Sequence, residues 1–300
     1  MPHFTVAGSA TYCNVYLKGV DSMPHYGVVS LNKSHNLYLS NSKGYDVEEK
    51  NAEKVKRLVE DLTNTSHLFS FAYKDMYEAF NPRLAAENII IDSGGYSIDT
   101  LGLDLNINDY MTFLKSARYR YAFNFDKIRN PEETYQNQKI IEDHGLEVIP
   151  VFHLGSPYKW LKKYIDEGYD YISLGGMVGK HNKIREQFLK KCFILGKKEG
   201  IKFHGLGVSH KYCAKYPLFS IDNSNHILVR RTGSIKINGN ALKIPRVKGE
   251  KPEARTWNDA KPVLIQLMNN INDYKDAVKN NWRQYHNYFK GNLTYEEVIN

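Results

Sequence analysis

Cysteine is scarce in this 300-residue sequence, which contains only Cys13, Cys192 and Cys213. Because the three are widely spaced and odd in number, they predict neither a disulfide framework nor a CxxC zinc site, and we expect the protein in a reducing cytoplasm. No apolar run reaches the roughly 18 residues needed to cross a bilayer, and no early segment resembles a signal peptide. The sequence therefore predicts a globular protein with no membrane partner.

The chain also lacks a P-loop and the glycine fingerprint of a dinucleotide-binding site, so nothing in it predicts a nucleotide cofactor. What is abundant is positive charge, since Lys and Arg exceed Asp and Glu by 41 − 33 = 8. That balance favours a polyanionic partner, although enzymes without such a partner also carry it.

The stretch at 88–97, which reads NIIIDSGGYS, carries the strongest local signal. Three consecutive isoleucines are typical of a strand buried on both faces, and the run stops at Asp92. The Ser-Gly-Gly sequence after it allows a sharp turn with accessible backbone N–H groups, and Tyr96 follows. Taken alone, the stretch is equally consistent with a ligand site and with an ordinary strand-to-helix turn.

Strand-like segments recur along the chain at intervals of about 20 to 40 residues, mostly with segments of helical periodicity between them. Eight strands in this alternation predict an α/β fold of the (β/α)8 barrel type, with a doubly wound open sheet as the alternative. We expect one catalytic barrel domain over 1–300, with a basic excursion at 229–255 and a helical C-terminal segment at 258–290. The predicted strands are 27–31, 66–73, 88–92, 121–126, 147–153, 171–176, 202–208 and 218–222.

Polar residues and glycines stand at the carboxyl ends of the predicted strands, which converge on one mouth in a barrel. Two aspartates at such a mouth, Asp92 and Asp222, allow covalent displacement at a sugar carbon, with one as nucleophile and the other as acid/base. Carboxylates at strand ends also bind metals or cap loops, so the residues alone leave these alternatives open. The strand-end positions are Asp92, Asp126, His153, Gly175, Gly176 and Asp222.

Six short motifs lie at or near these ends: DSGGYS from Asp92, NFD ending at Asp126, VFHLG around His153, LGGMVG from Leu174, HGLGVS from His204 and SIDNS around Asp222. In order and rough spacing, they resemble the tRNA-guanine transglycosylase superfamily over about 90 to 235. The likeness is closest to the virus-encoded branch that resembles DNA-guanine transglycosylases, which exchange guanine in DNA for a 7-deazaguanine base. It implies nucleic acid and a deazaguanine as substrates, no cofactor, and the host cytoplasm as location if the gene is viral.

The resemblance implies a role for each matched residue. Asp222 is then the nucleophile that attacks C1′ of the target nucleoside, and Asp92 is the acid/base for the departing and entering bases. Asp126 accepts hydrogen bonds from the Watson–Crick edge of the base, which presents N–H donors there. The other base-binding positions that it implies are Tyr96, His153, Gly175, Gly176 and Leu206, with His153 standing where the tRNA enzymes carry a glutamine.

Other departures from the tRNA enzymes bear on the metal and on the polymer. Those enzymes follow the nucleophile with a cysteine-rich zinc site, whereas no cysteine follows Cys213 here, so we predict no structural metal. Ser97 stands where they carry a glutamine, which indicates a reduced tRNA-docking apparatus and favours DNA. Three histidines form no ligand set with the cysteines and are interpreted as packing or surface residues: His204, His210 and His226.

The basic excursion at 229–255 holds eight Lys or Arg against two Glu and predicts a hairpin or loop. Phosphate contacts supply affinity without sequence information, so this segment indicates a polyanion and not which one, and a solvated charged loop is the alternative. If the substrate is duplex, the target nucleotide has to leave the stack before Asp222 reaches C1′. The candidate phosphate-binding residues are Arg230, Arg231, Lys236, Lys243, Arg246 and Lys248.

Three rival functions stay open at this point. One keeps the chemistry and acts on tRNA, and another is a catalytically silent barrel that binds nucleic acid or a partner protein through the basic segment. The third is a metal-dependent barrel hydrolase in which Asp92 and Asp126 are ligands.

Overall fold

The computed structural model describes residues 4–8, 66–74, 77–78, 85–222, 234–237, 240–243 and 257–299. Several predictions from the sequence lie outside these residues, namely the strand at 27–31, the helix at 47–62 and a possible strand at 11–17. The described residues form a mixed α/β structure with parallel strands and helices, as the alternating periodicity predicted.

Eight of the described strands form one sheet in the order β4-β3-β2-β1-β8-β7-β6-β5. The pairing is parallel wherever a register is defined, from β1 with β8 to β2–β3–β4 and β5–β6–β7–β8. Parallel neighbours need crossover connections, and α-helices supply those that lead from the strand at Ile89–Asp92 to the strand at Lys202–Gly205. The strands are β1 (Phe4–Gly8), β2 (Ser66–Ser70), β3 (Ile89–Asp92), β4 (Tyr121–Ala122), β5 (Val151–His153), β6 (Tyr171–Gly175), β7 (Lys202–Gly205) and β8 (Ser220–Asp222).

The first strand of this sheet is one that the sequence did not indicate. β1 occupies the position between β2 and β8, with Phe4 opposite Ile221 and Thr5 opposite Asp222. The segment FTVAG is short and only weakly apolar, so strand periodicity gives it little weight. Its pairing with β8 brings the N-terminal segment of the chain beside Asp222.

The spacing of apolar residues predicts helices at 107–116, 131–144, 160–167 and 184–199, with Asn130 as an N-cap, and the helices between the strands begin and end close to these bounds. Asn106 and Asn130 accept hydrogen bonds from the backbone N–H of Asp109 (2.9 Å) and Glu133 (3.1 Å), and so cap the two helices that follow them. Gly145, with φ of +73°, follows the second of these helices, where a left-handed residue is needed. The helices are α1 (Gly95–Leu101), α2 (Ile107–Ser116), α3 (Pro131–Asp143), α4 (Lys159–Asp166), α5 (Asn182–Gly196), α6 (Trp257–Asn280), α7 (Trp282–Tyr288) and α8 (Tyr295–Ile299).

Buried tyrosines fasten the C-terminal helices to the loops around the last strands. Tyr274 donates to the carbonyl of Phe219 (3.2 Å), and Tyr288 donates to the carbonyl of Ile201 (3.1 Å). Both side chains are at most 6% exposed, so each buried hydroxyl has a hydrogen-bond partner. The helical periodicity at 258–289 predicted one or two helices, and the structure has two, Trp257–Asn280 and Trp282–Tyr288.

An apolar cluster lies on one face of the parallel sheet and supports the site above it. It contains Leu68, Ile90, Phe123, Ile149 and Val151, and Leu206 packs against it. Because side chains alternate along a strand, Asp92 and His153 share this face with Ile90 and Val151, which lie two positions earlier. The cluster also spans the two ends of the strand order, since Phe123 and Ile149 form a parallel bridge between β4 and the segment leading into β5.

Contacts along the chain divide it into two compact units. One contains 1–7, 65–223 and 274–300, and includes all of the strands above except the end of β1. The other contains 8–64 and 224–273, within which Ser234–Ile237 (β9) and Asn240–Lys243 (β10) pair as an antiparallel hairpin. A hairpin in the basic excursion agrees with its prediction, whereas the single-domain organisation stays a prediction.

Candidate active site

The turn after β3 is built by its own side chains. Gly94 has φ of +88° and donates its N–H to Oδ2 of Asp92 at 2.9 Å, while Gly95 N–H donates to Oγ of Ser93 at 3.2 Å. A side chain at Gly94 would also meet Cβ of Ala72 at 3.0 Å, so the position needs glycine for its conformation and for its space. The turn joins β3 to α1, so the predicted strand-to-helix connection is confirmed.

Asp126 is held beneath that turn by two hydrogen bonds. Ser93 donates its hydroxyl to Oδ1 at 2.6 Å, and Nε2 of His153 lies 2.8 Å from Oδ2. Asp126 and His153 are 5% and 4% exposed. Since a carboxylate only accepts, His153 Nε2 carries the hydrogen in this contact. Ser93 thus links the Asp92 turn to Asp126.

The environment keeps Asp126 ionised. Burial acts to raise its pKa, but the hydrogen bond and the electrostatic attraction of His153, together with the hydrogen bond from Ser93, outweigh burial and lower the pKa below its ordinary value. An ionised carboxylate is acceptor-only, which suits a partner that presents N–H groups.

Asp92 has the opposite shift. Burial, followed by the negative charges of Asp126 and Asp222, raises the pKa of Asp92 to about 7, although the N–H of Gly94 partly offsets them. A carboxyl group with a pKa near 7 both donates and accepts protons at neutral pH, which suits general acid/base catalysis. The Coulombic effect of Asp222 also means that these two carboxylates, far apart in sequence, lie near each other.

Two glycines at the end of β6 leave space for the side chain of His153, which is on β5. A side chain at Gly175 would lie 2.8 Å from Cδ2 of His153 and 3.4 Å from Cδ1 of Leu206. Gly176 has φ of +74°, and a side chain at this position would meet the backbone N of Leu154 at 3.2 Å. Gly175, Gly176, His153 and Leu206 are therefore neighbours.

Asp222 is the last residue of β8, and one of its carboxylate oxygens accepts hydrogen bonds. Oδ1 accepts from the N–H of Gly207 at 2.8 Å and lies 3.1 Å from Nε2 of His204. The other nitrogen of His204, Nδ1, lies 2.7 Å from Oγ of Ser220, which in turn lies 2.6 Å from the hydroxyl of Tyr171. His204 is fully buried, and its ring lies 4.8 Å from that of Phe123 in the apolar cluster.

The structure thus brings together part of the predicted set of site residues: Asp126, His153, Gly175, Gly176 and Leu206 are neighbours, and Ser93 joins Asp92 to Asp126. Tyr96 lies on the first turn of α1 with 52% of its surface exposed, so a role in stacking on a base stays a prediction. Lys236 and Lys243 belong to the hairpin strands β9 and β10. The other candidate phosphate-binding residues lie outside the described residues: Arg230, Arg231, Arg246 and Lys248.

Sequence reasoning missed three members of the site. Ser93 was interpreted only as a turn residue, Gly207 stood inside a predicted strand, and His204 was interpreted as a packing or surface residue. His204 is buried and packs against Phe123, and both of its ring nitrogens also have hydrogen-bond partners, one of which is the carboxylate of Asp222. Strand alternation could have found it, since His204 lies two positions before Leu206 and therefore on the same face.

Two kinds of feature are absent from the part of the chain that the structure describes. In that part, no group of three or more His, Cys, Asp or Glu side chains is arranged to hold a metal ion. No helix within it has the length and apolar character to cross a membrane.

No model of a known protein family matches this sequence, and no curated protein matches it.

Proposed function

We propose that this protein is a guanine transglycosylase that exchanges guanine in nucleic acid, with DNA favoured, for a 7-deazaguanine base. The observation that carries the proposal is the proximity of two carboxylates with different environments. Asp92 has a pKa raised to about 7 by burial, by Asp126 and by Asp222, whereas Asp222 is held by Gly207 and His204. Two carboxyl groups placed in different surroundings are typical of enzymes that divide nucleophile and acid/base roles.

The proposed frame for this chemistry is a closed (β/α)8 barrel. Two observations support it: the strand order has β4 and β5 at its ends, and a parallel bridge between Phe123 and Ile149 joins those ends. Backbone hydrogen bonds reinforce the bridge, from Asn124 N–H to the Ile149 carbonyl (2.9 Å) and from Ile149 N–H to the Ala122 carbonyl (2.8 Å). In such a barrel the carboxyl ends of the strands carry the active site.

The proposed reaction has two displacements at C1′ of the target nucleoside. In the first, a carboxylate oxygen of Asp222 bonds to C1′ while the C1′–N9 bond breaks, and its electron pair leaves with guanine, which takes a proton from Asp92. In the second, Asp92 removes a proton from the entering base, whose ring nitrogen bonds to C1′ as the C1′–O bond to Asp222 breaks. Asp92 alternates between donor and acceptor, which a pKa near 7 favours.

Base recognition is assigned to Asp126 and the surface around it. Asp126 is ionised and would accept hydrogen bonds from the N–H groups of a guanine-like Watson–Crick edge. His153 orients Asp126 through Nε2 and so acts behind the carboxylate, in place of the direct base contact made by the glutamine of the tRNA enzymes. Gly175 and Gly176 would let the flat base approach the backbone.

The choice of polymer is supported by the charge and the sequence of the chain. The net charge of +8 and the basic excursion at 229–255 support a polyanion. The absence of a cysteine after Cys213 and the presence of Ser97, compared with the tRNA enzymes, support DNA over tRNA.

The experiment that tests the proposed function is mass spectrometry of nucleosides after incubation with candidate 7-deazaguanines. Parallel reactions contain duplex DNA, single-stranded DNA and tRNA, with and without a chelator. We expect incorporation into DNA that is insensitive to the chelator and absent in Asp222→Asn. Incorporation into tRNA alone would move the assignment to the RNA rival, and binding without exchange on any polymer would favour the silent barrel. Loss of a hydrolytic activity with the chelator would favour the metal-dependent rival.

A further inference from the structure

A buried line of hydrogen-bonding groups runs from Tyr171 to Asp222. The Tyr171 hydroxyl lies 2.6 Å from Ser220 Oγ, Ser220 Oγ lies 2.7 Å from His204 Nδ1, and His204 Nε2 lies 3.1 Å from Asp222 Oδ1. Ser220 and His204 are 1% and 0% exposed. Three strands contribute to the line, since Tyr171 is on β6, His204 on β7 and the other two residues on β8.

The direction of these hydrogen bonds follows from what each group is able to do. A carboxylate only accepts, so His204 Nε2 carries a hydrogen, and a neutral imidazole then has Nδ1 as its acceptor. Ser220 therefore donates to Nδ1, and its oxygen accepts from the Tyr171 hydroxyl. The neighbours of the ring on the facing elements are Asp222 and Ser220 on β8 and the uncharged Phe123 near β4, so a hydrogen on Nδ1 would have only the Ser220 hydroxyl as its acceptor.

The same contacts distinguish the two oxygens of Asp222. Oδ1 accepts from Gly207 N–H at 2.8 Å and from His204, whereas Oδ2 has no hydrogen-bond partner among the described residues. Two donors at one oxygen fix the rotation of the carboxylate and stabilise the charge at that oxygen. The oxygen without donors is left as the more nucleophilic one.

A purely structural histidine in this place would be costly. The ring packs against Phe123 of the apolar cluster, where a ring nitrogen without a hydrogen-bond partner would be unfavourable. An apolar residue would fill the same space without that requirement. Both nitrogens are instead satisfied, and the line ends at the carboxylate to which the nucleophilic role is assigned.

We propose that His204 is a positioning residue for the nucleophile, held as the neutral Nε2–H tautomer by Ser220 and Tyr171 so that Oδ2 of Asp222 attacks C1′. This inference rests on the proposed function. In the first displacement the Oδ2–C1′ bond forms and the C1′–N9 bond breaks, its electron pair and a proton from Asp92 go to guanine, and His204 keeps its hydrogen throughout. A neutral donor orients the carboxylate without cancelling the charge that has to stabilise the sugar cation.

The kinetic test replaces His204 by two residues of similar length. Glutamine keeps an N–H donor and is never charged, whereas methionine keeps the volume and has no donor. We expect His204→Met to slow formation of the covalent intermediate by about 100-fold and His204→Gln by less than about tenfold, with little change in KM for the base in either. Equal loss in both variants, with unfolding curves like that of the unaltered protein, would overturn the inference.

A second variant guards against misfolding of the His204 variants. Tyr171→Phe keeps the ring and removes only the hydroxyl at the far end of the line, so the His204–Asp222 contact survives. We expect a loss of about two- to fivefold in the same step, because Ser220 then lacks its donor. A rate unchanged by this substitution would count against the line acting as a unit.

The tautomer itself is measured without any base exchange. Long-range ¹H–¹⁵N spectra of the full protein labelled in histidine distinguish the Nε2–H, Nδ1–H and doubly protonated forms, and the His204 signal is assigned by its loss in His204→Gln. We expect the Nε2–H form at neutral pH. Base exchange by a protein whose His204 is Nδ1–H or doubly protonated would overturn this inference alone. The Nε2–H form in a protein that exchanges no base would overturn the proposed function, and the positioning role with it.

Discussion

His153 Nε2 lies 2.8 Å from Oδ2 of Asp126, in a pair of side chains that are both almost fully buried. The contact is the main reason that the pKa of Asp126 is lowered in spite of its burial. Under the proposed function, His153 therefore acts behind the carboxylate, and base preference is proposed to depend on the charge of Asp126.

Replacing His153 by leucine should weaken binding of the entering base. Without the hydrogen bond, burial dominates and the pKa of Asp126 rises, so the carboxyl group takes up a proton as the pH falls toward neutrality. We expect KM for the base to increase by about tenfold or more at neutral pH and to decrease again as the pH is raised. The pH dependence of KM checks this, with exposed His144→Leu as the control, and a KM that does not depend on pH would contradict it.

Replacing Asp222 by asparagine should abolish the covalent intermediate, because an amide is a poor nucleophile and carries no charge to stabilise the sugar cation. The measurement is a denaturing gel that detects protein bound to labelled nucleic acid in the absence of an entering base. Asp143→Asn, which changes an exposed carboxylate at the end of α3, should leave the adduct unchanged. An adduct of normal yield in Asp222→Asn would remove this residue from the mechanism.

Replacing Asp92 by asparagine should stop base exchange and stabilise the fold. Its pKa is about 7 in the folded protein against 3.8 when unperturbed, so between these values the folded state binds more protons than the unfolded state. The stability contributed by this group is therefore present below about pH 4 and lost as pH rises through about 7. We expect the free energy of unfolding at about pH 8 to increase by on the order of 1–3 kcal/mol, and the gain to shrink at about pH 5. Urea unfolding at both values provides the measurement, and a variant less stable at the higher pH would contradict the raised pKa.

The two halves of the reaction should depend on pH in opposite directions. Departure of guanine needs Asp92 protonated, so adduct formation should slow as pH rises above about 7. Entry of the new base needs the ionised carboxylate, so its rate should increase over the same range. Rapid-quench measurement of each half-reaction provides the check, and parallel pH profiles would assign proton transfer to another group.

Replacing Gly95 by alanine should displace the carboxylate of Asp126 although no charged residue is itself replaced. The added carbon would lie 2.6 Å from Oδ2 and 2.7 Å from Oδ1 of Asp126, closer than side chains approach in folded proteins. We expect a loss of about 1–3 kcal/mol in stability and a higher KM for the base. Thr100→Ala, an exposed change on the same helix, is the matched control, and wild-type values for both quantities in Gly95→Ala would show that the turn is looser than described.

Local features of the chain were predictable because their causes are local. The three isoleucines before Asp92, the N-cap role of Asn130 and the helical spacing at 107–116 each follow from side-chain chemistry within a few residues, and the structure confirms them. The strand ends at Asp92, His153 and Asp222 were also predictable, since a polar residue after an apolar run marks the place where a strand leaves the core. The strands predicted to reach 73, 126 and 208 end earlier, at Ser70, Ala122 and Gly205.

What the sequence by itself determined is thus the alternation of strands and helices and the set of carboxylates at strand ends. Only the tertiary structure decided that Phe4–Gly8 pairs with β8, that His153 contacts Asp126 and that His204 contacts Asp222. These contacts join residues that are 18 or more positions apart along the chain. Their geometry comes from how neighbouring strands are aligned in register, and a one-residue shift in that alignment would turn each of these side chains to the opposite face.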